Sequence, residues 1–123
     1  MLDSYALLAY LEGSQGGDKV KSLLERAVHR DCQLLMSVVN LGEVLYITER
    51  RRGLLKAQET LARINDLPIM IADADRAQTL TAAHIKAQCA VAYADCFVVA
   101  LAKLAGASIV TGDPEFRQLE AAF

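Results

Sequence analysis

The sequence predicts an α/β domain built on a short parallel sheet, and three observations lead there. Short apolar runs alternate with longer stretches of roughly 3.6-residue period, the pattern of strands joined by crossover helices. The chain has 123 residues, the size of one domain, so a single domain over residues 1–123 is expected. With 54% hydrophobic residues, two prolines and a mean hydropathy of +0.24, it can bury a sizeable interior and is not a disordered segment.

The expected strands are residues 1–2, 33–36, 69–72 and 108–111, the last rich in β-branched residues. A first helix over 4–11 closes on Glu12 and Gly13. A second, over 18–30, follows the Gly16-Gly17 turn and places Val20, Leu23, Leu24 and Ala27 on one face. Leu41, Val44, Leu45 and Thr48 mark a third, whose last turn holds Arg50, Arg51 and Arg52 before Gly53, basic residues suited to the negative end of a helix dipole. A fourth over 54–65 stops before Pro68. A fifth over 75–88 should bury Ala77, Leu80, Ala83 and Ile85. A sixth over 94–105 is apolar nearly all round and should be central.

Several classes fall away. The longest apolar run, 96–102, ends at Lys103, far short of the roughly 20 residues of a membrane span. Asp3 stands where a secretory signal carries a base, so a cytoplasmic protein is expected. Cys32, Cys89 and Cys96 are odd in number and widely spaced, which suits reduced core thiols and neither a disulfide framework nor a zinc knuckle. His29 and His84 have no cysteine partner in sequence and read as partly exposed helical residues. The loop from Gly13 to Gly17 lacks the spacing of a phosphate-binding loop.

The acids hold the interest. Asp3 follows the first strand, Asp113 follows the last, and each precedes a helix, so each suits an N-cap, Asp113 especially with Pro114 after it. Yet ligands of a parallel sheet gather beyond the carboxyl ends of its strands, where both acids lie. Glu43 sits one helical turn past the end of the second strand. Asp95 lies between apolar stretches and is expected to be buried. If these four shared one pocket, each close pair would cost about 4 kcal/mol at about 4 Å and an effective dielectric near 20. The neighbouring sequence offers no Lys or Arg to offset this. Oxygen donors without Cys or His favour Mg²⁺ or Mn²⁺, and such a cage activates water and braces in-line attack on a phosphodiester.

Four segments, at residues 2–11, 37–44, 94–102 and 109–116, each carry one of these acids in apolar company. In order and over the whole chain they resemble the acidic motifs of PIN-domain ribonucleases of the VapC type, the toxin half of VapBC toxin–antitoxin pairs. The resemblance implies a three-layer α/β/α domain with a short central parallel sheet. It further implies that Asp3, Glu43, Asp95 and Asp113 are both catalytic and metal-binding, holding Mg²⁺ or Mn²⁺, with Ser4, Asn40 and Thr111 in support. Glu115 stands where many relatives have a further Asp. The first strand is shorter than is usual in the family, which fits a native start upstream of Met1. The implied partners are an RNA substrate, a VapB-type antitoxin and a second copy of the chain.

The net charge of −2 argues against nucleic-acid binding at first. Setting the four site acids aside leaves 11 of 15 acids against 13 bases, a surface of +2. Arg50, Arg51 and Arg52 are the densest basic run and serve either RNA phosphates or the helix end. Two other readings stand beside the nuclease: a catalytically silent PIN-fold binding module, and an Asp-dependent phosphatase-like enzyme built on Asp73-Ala74-Asp75. The first helix (Tyr5, Leu7, Leu8, Tyr10, Leu11) and the third are apolar on more than one face. Surfaces covered by another chain are therefore expected, among them the stripe of Leu41, Val44, Leu45 and Thr48.

Overall fold

The computed structural model describes residues 1–110 of the chain. Its elements are α1 (Ser4–Glu12), α2 (Gly17–Val28), β1 (Leu34–Ser37), α3 (Val38–Arg52), α4 (Leu54–Asn65), β2 (Ile69–Ala72), α5 (Arg76–Gln88) and α6 (Tyr93–Ala105). β1 and β2 pair in parallel, Leu34 opposite Ile69 and Ser37 opposite Ala72. The expected first and last strands shrink to one parallel bridge between Leu2 and Val110. The Leu2 N–H donates to the Leu35 carbonyl and the Val110 N–H to the Met1 carbonyl, both at 2.8 Å. Two residues before the turn into α1 are too few for a ladder, and Thr111 lies outside the described residues.

Glycine sets the α1–α2 corner. Gly13 ends α1 at φ +65°, and a Cβ on Gly17 would meet the Ala9 carbonyl oxygen at 2.8 Å. Only a residue without a side chain lets α2 start this close to α1. Val20 and Leu24 are buried, with Leu23 and Ala27 packed beside them, as the period predicts.

The fifth helix corrects its expected face. Leu80 is 59% exposed, and the buried residues of α5 are Gln78, Ala82 and Ile85. That stripe still has helical spacing, but a polar residue opens it, made tolerable by the bond from Gln78 Nε2 to the Asp73 carbonyl at 2.8 Å. Asp75 is the N-cap, accepting from the Gln78 N–H at 2.9 Å. α6 matches expectation: every residue from Cys96 to Ala102 is buried. No described helix is long and apolar enough to cross a membrane.

Two core clusters result. One joins α5 and α6 through Ala82, Ile85, Val98 and Leu101. The other joins Leu2, Leu7, Val20, Met36, Val44 and Ile64. Val44 and Thr48 face inward, at 0% and 9% exposure, so half of the stripe of Leu41, Val44, Leu45 and Thr48 is taken up by the chain's own core. Between the clusters, the ends of the Leu2 segment and of β1 meet the first turn of α6.

Candidate active site

Three of the four expected acids lie on the described residues, each on a differently built support. Asp3 follows the Leu2 bridge, is 2% exposed, and accepts from the Ala6 N–H at 2.8 Å. The capping reading therefore holds for Asp3. Asp95 is no cap: α6 is preceded by Ala92, which makes no side-chain capping bond, and Asp95 lies in the first turn, where unpaired N–H groups and the helix dipole favour an anion. It is half-buried where full burial was expected, because the first turn of α6 stands clear of the core that encloses the helix from Cys96 onward. Glu43, also half-buried, lies well inside α3, which Ser37 opens by accepting from the Val39 N–H at 3.2 Å.

The polar centre is Asn40, wholly buried. Its Nδ2 donates to Ser4 Oγ at 3.2 Å, Glu43 Oε1 at 3.4 Å and the Ala94 carbonyl at 3.3 Å. Ser4 Oγ in turn donates to the same Glu43 Oε1. An amide nitrogen has two hydrogens, so one of them is shared between neighbouring acceptors. One side chain thus joins the residue after Asp3, the helix turn of Glu43 and the residue before Asp95. Among the described residues Asn40 Oδ1, buried, has no hydrogen-bond partner.

Lys86, which sequence proximity did not single out, reaches from α5 to donate to the Val91 carbonyl in the loop leading into α6. Burial pushes the Cys96 thiol up from its ordinary value, with Lys86 pulling it down and Asp95 and Cys89 adding to the rise. All three cysteines are free thiols. Among the described residues no three Asp, Glu, His or Cys side chains form a cluster able to hold a metal ion. The fourth expected acid, Asp113, and the supporting Thr111 and Glu115 lie outside the described residues.

Other candidates disperse. Asp73 is exposed beyond β2, and Asp75 caps α5. Arg50, Arg51 and Arg52 end α3, with the Arg50 guanidinium 5.1 Å from the Tyr46 ring centre and Arg51 paired with Glu12 at 3.2 Å. Seven to nine residues beyond Glu43, they stand about 10–14 Å along the helix axis from it. His84 is exposed and shares a hydrogen bond with Gln88 at 2.9 Å.

A buried polar junction at the carboxyl ends of parallel strands, with an acid on each of three converging segments, defines a PIN-type α/β fold. The PIN domain family matches residues 1–122, and the chain belongs to that family. Three solved structures share the fold. VapC20 of Mycobacterium tuberculosis, described as a sarcin–ricin loop cleaving toxin, is 16% identical with a TM-score of 0.72, covering 96% of this chain and 92% of its own. VapBC2 of Rickettsia felis, bound to a DNA fragment from its promoter, is 18% identical with a TM-score of 0.75, covering 96% and 90%. A toxin–antitoxin complex from Klebsiella pneumoniae is 15% identical with a TM-score of 0.66, covering 94% and 88%. No curated protein sequence matches the chain.

Proposed function

We propose that this chain is a metal-dependent endoribonuclease, hydrolysing RNA phosphodiester bonds as the toxin of a toxin–antitoxin pair. Membership of the PIN family and the fold shared with VapC proteins support the class. The observation that carries the reading is the Asn40 junction, which ties together the segments bearing Asp3, Glu43 and Asp95.

Asp3, Glu43, Asp95 and Asp113 are the residues that would hold Mg²⁺ or Mn²⁺, with Ser4, Asn40 and Thr111 in support. The residues present fit such an ion. The donors are carboxylate oxygens, which hard divalent cations prefer. When bound, the ion supplies water activation and offsets phosphate charge. The chain's own contribution is orientation. The cap bond fixes Asp3, two donors fix Glu43, and the enclosed body of α6 gives Asp95 a rigid base.

The proposed partners are a VapB-type antitoxin and a second copy of the chain. Tyr5, Tyr46, Leu80 and Leu104 are all about half exposed or more, area that a partner would cover. A groove of about 150 Å³ between α1, α3 and α4, lined by Leu8, Leu11, Thr48, Arg52, Lys56 and Arg63, is the surface we propose for the antitoxin, and it takes in Thr48 of the α3 stripe.

Incubation of the purified chain with RNA tests the activity. Cleavage should require Mg²⁺ or Mn²⁺, stop with chelator, and vanish in Asp95→Asn while surviving in Asp73→Asn. Cleavage by Asp95→Asn at the wild-type rate overturns the nuclease reading at this site. Dependence on Asp73 would point to the phosphatase-like alternative, and metal-independent inertness to a silent binding module.

A further inference from the structure

This inference rests on the reading of Glu43 as a metal-holding acid and concerns what sets that acid in place. We propose that Asn40 is a positioning residue for the metal site: it acts through Glu43, without touching ion or substrate, by fixing one carboxylate oxygen and locking α3 to α1 and α6.

Among the described residues, both side-chain hydrogen bonds to the Glu43 carboxylate fall on the same atom. Ser4 Oγ and Asn40 Nδ2 each donate to Oε1, which leaves Oε2 as the oxygen not engaged by these donors. A carboxylate on a long side chain ordinarily swings among several rotamers. Two donors from two elements define one orientation, because Ser4 belongs to the first turn of α1 and Asn40 to the preceding turn of α3. Asn40 is three residues before Glu43, on the same side of the helix.

The third bond widens the role. Asn40 Nδ2 also donates to the Ala94 carbonyl, whose residue immediately precedes Asp95. A shift of the amide would move the Glu43 carboxylate and the entry into α6 together. Asn40 is 0% exposed, so these bonds have no competition from bulk water, and losing them strands buried acceptors. Among the described residues its Oδ1 has no hydrogen-bond partner. A side chain kept only for packing would not need an amide here, since an apolar residue of similar size would avoid that orphaned oxygen.

The test is Mn²⁺ titration of the metal-free, full-length chain, followed by calorimetry and by the electron paramagnetic resonance of free Mn²⁺, with thermal melting of the same samples. Asn40→Ala should fold and bind Mn²⁺ about ten- to hundredfold more weakly, the range for losing a group that orients a ligand. Ser4→Ala should weaken binding less. The double variant should lose less than the product of the two fold-changes, since both donors act on one oxygen. Asn40→Asp keeps the shape and removes the N–H donors, and it should bind as weakly as Asn40→Ala or more so.

Wild-type Mn²⁺ affinity in folded Asn40→Ala or Asn40→Asp overturns the proposal and leaves the amide a packing group. Failure of both variants to fold overturns it too, by making the amide a requirement of the fold. Glu43→Gln separates this outcome from failure of the site itself. If Glu43→Gln binds Mn²⁺ like wild type, the metal reading of Glu43 is wrong, whereas weak binding by Glu43→Gln with normal binding by the Asn40 variants removes only the positioning role.

Discussion

The two ends of α3 are built on opposite principles. At its start, Ser37, Asn40 and Glu43 are buried or half-buried and each is held by named partners from its own turn, from α1 or from α6. At its end, Arg50, Arg51 and Arg52 project into water, with Arg51 paired to Glu12 although its side chain is 62% exposed. The same helix thus carries one end where polar groups are costly to disturb and one where they are cheap. The difference is burial: a hydrogen bond removed from water leaves an uncompensated partner, and a solvated ion pair does not. The acid that chemistry needs stands at the expensive end.

That contrast can be broken at graded cost. Glu43→Gln should lower RNA cleavage by more than about a hundredfold, beyond the effect of losing a mere orienting partner, with the melting temperature nearly unchanged. A rate assay beside a thermal melt checks it, and retained activity would make the buried end structural only. Met36→Ala, fully buried just before this end, should cost about 2–5 kcal/mol in denaturant unfolding. Ser37→Ala removes the cap of α3 and should cost about 1 kcal/mol, a shift of several degrees in the melt. At the other end, Arg51→Ala should cost less than about 1 kcal/mol, and the difference from wild type should shrink further in high salt. A cost at Arg51 equal to that at Ser37 would erase the distinction between the ends.

A further variant sharpens the position of Asp3, which both caps α1 and is proposed to hold metal. Asn is as good an N-cap as Asp. Asp3→Asn should therefore keep the melting temperature while abolishing cleavage, and Asp3→Ala should lose both. Equal melting of Asp3→Ala and wild type would remove the cap's contribution to α1.

Much of this was legible in the sequence because it depends on local period. The bounds of α4 and β2 and the enclosed α6 all follow from residues within a few positions of one another. The face of α5 was misread because the pattern counted Ala77, Leu80 and Ala83 as apolar, while the structure buries Gln78 by giving its amide a carbonyl partner. The α3 stripe is only half turned into the chain's own core, and Val44 and Thr48 have the same spacing whether the covering core is the chain's own or a partner's. Asp3, Glu43 and Asp95 could be picked out as acids in apolar company. What joins them could not, since the bonds of Asn40 span 36 residues to Ser4 and 54 to Ala94, and no local pattern encodes such pairings.

The bridge between Leu2 and Val110 bears on the order in which the protein comes into being. Asp3 stands directly after a segment held twice, by the Leu2 bond to β1 and from far downstream, where the Met1 amino group meets the Ser108 carbonyl across 107 positions. Closing so long a loop carries a large entropy cost, and contacts of this separation form late in folding. A ribosome adding roughly 5–20 residues per second will have laid down nearly the whole domain before Val110 exists to pair with Leu2. A nascent or prematurely ended chain therefore holds the Asp3 segment by its bond to β1 and its own helix cap, and the downstream tie is the last to be added.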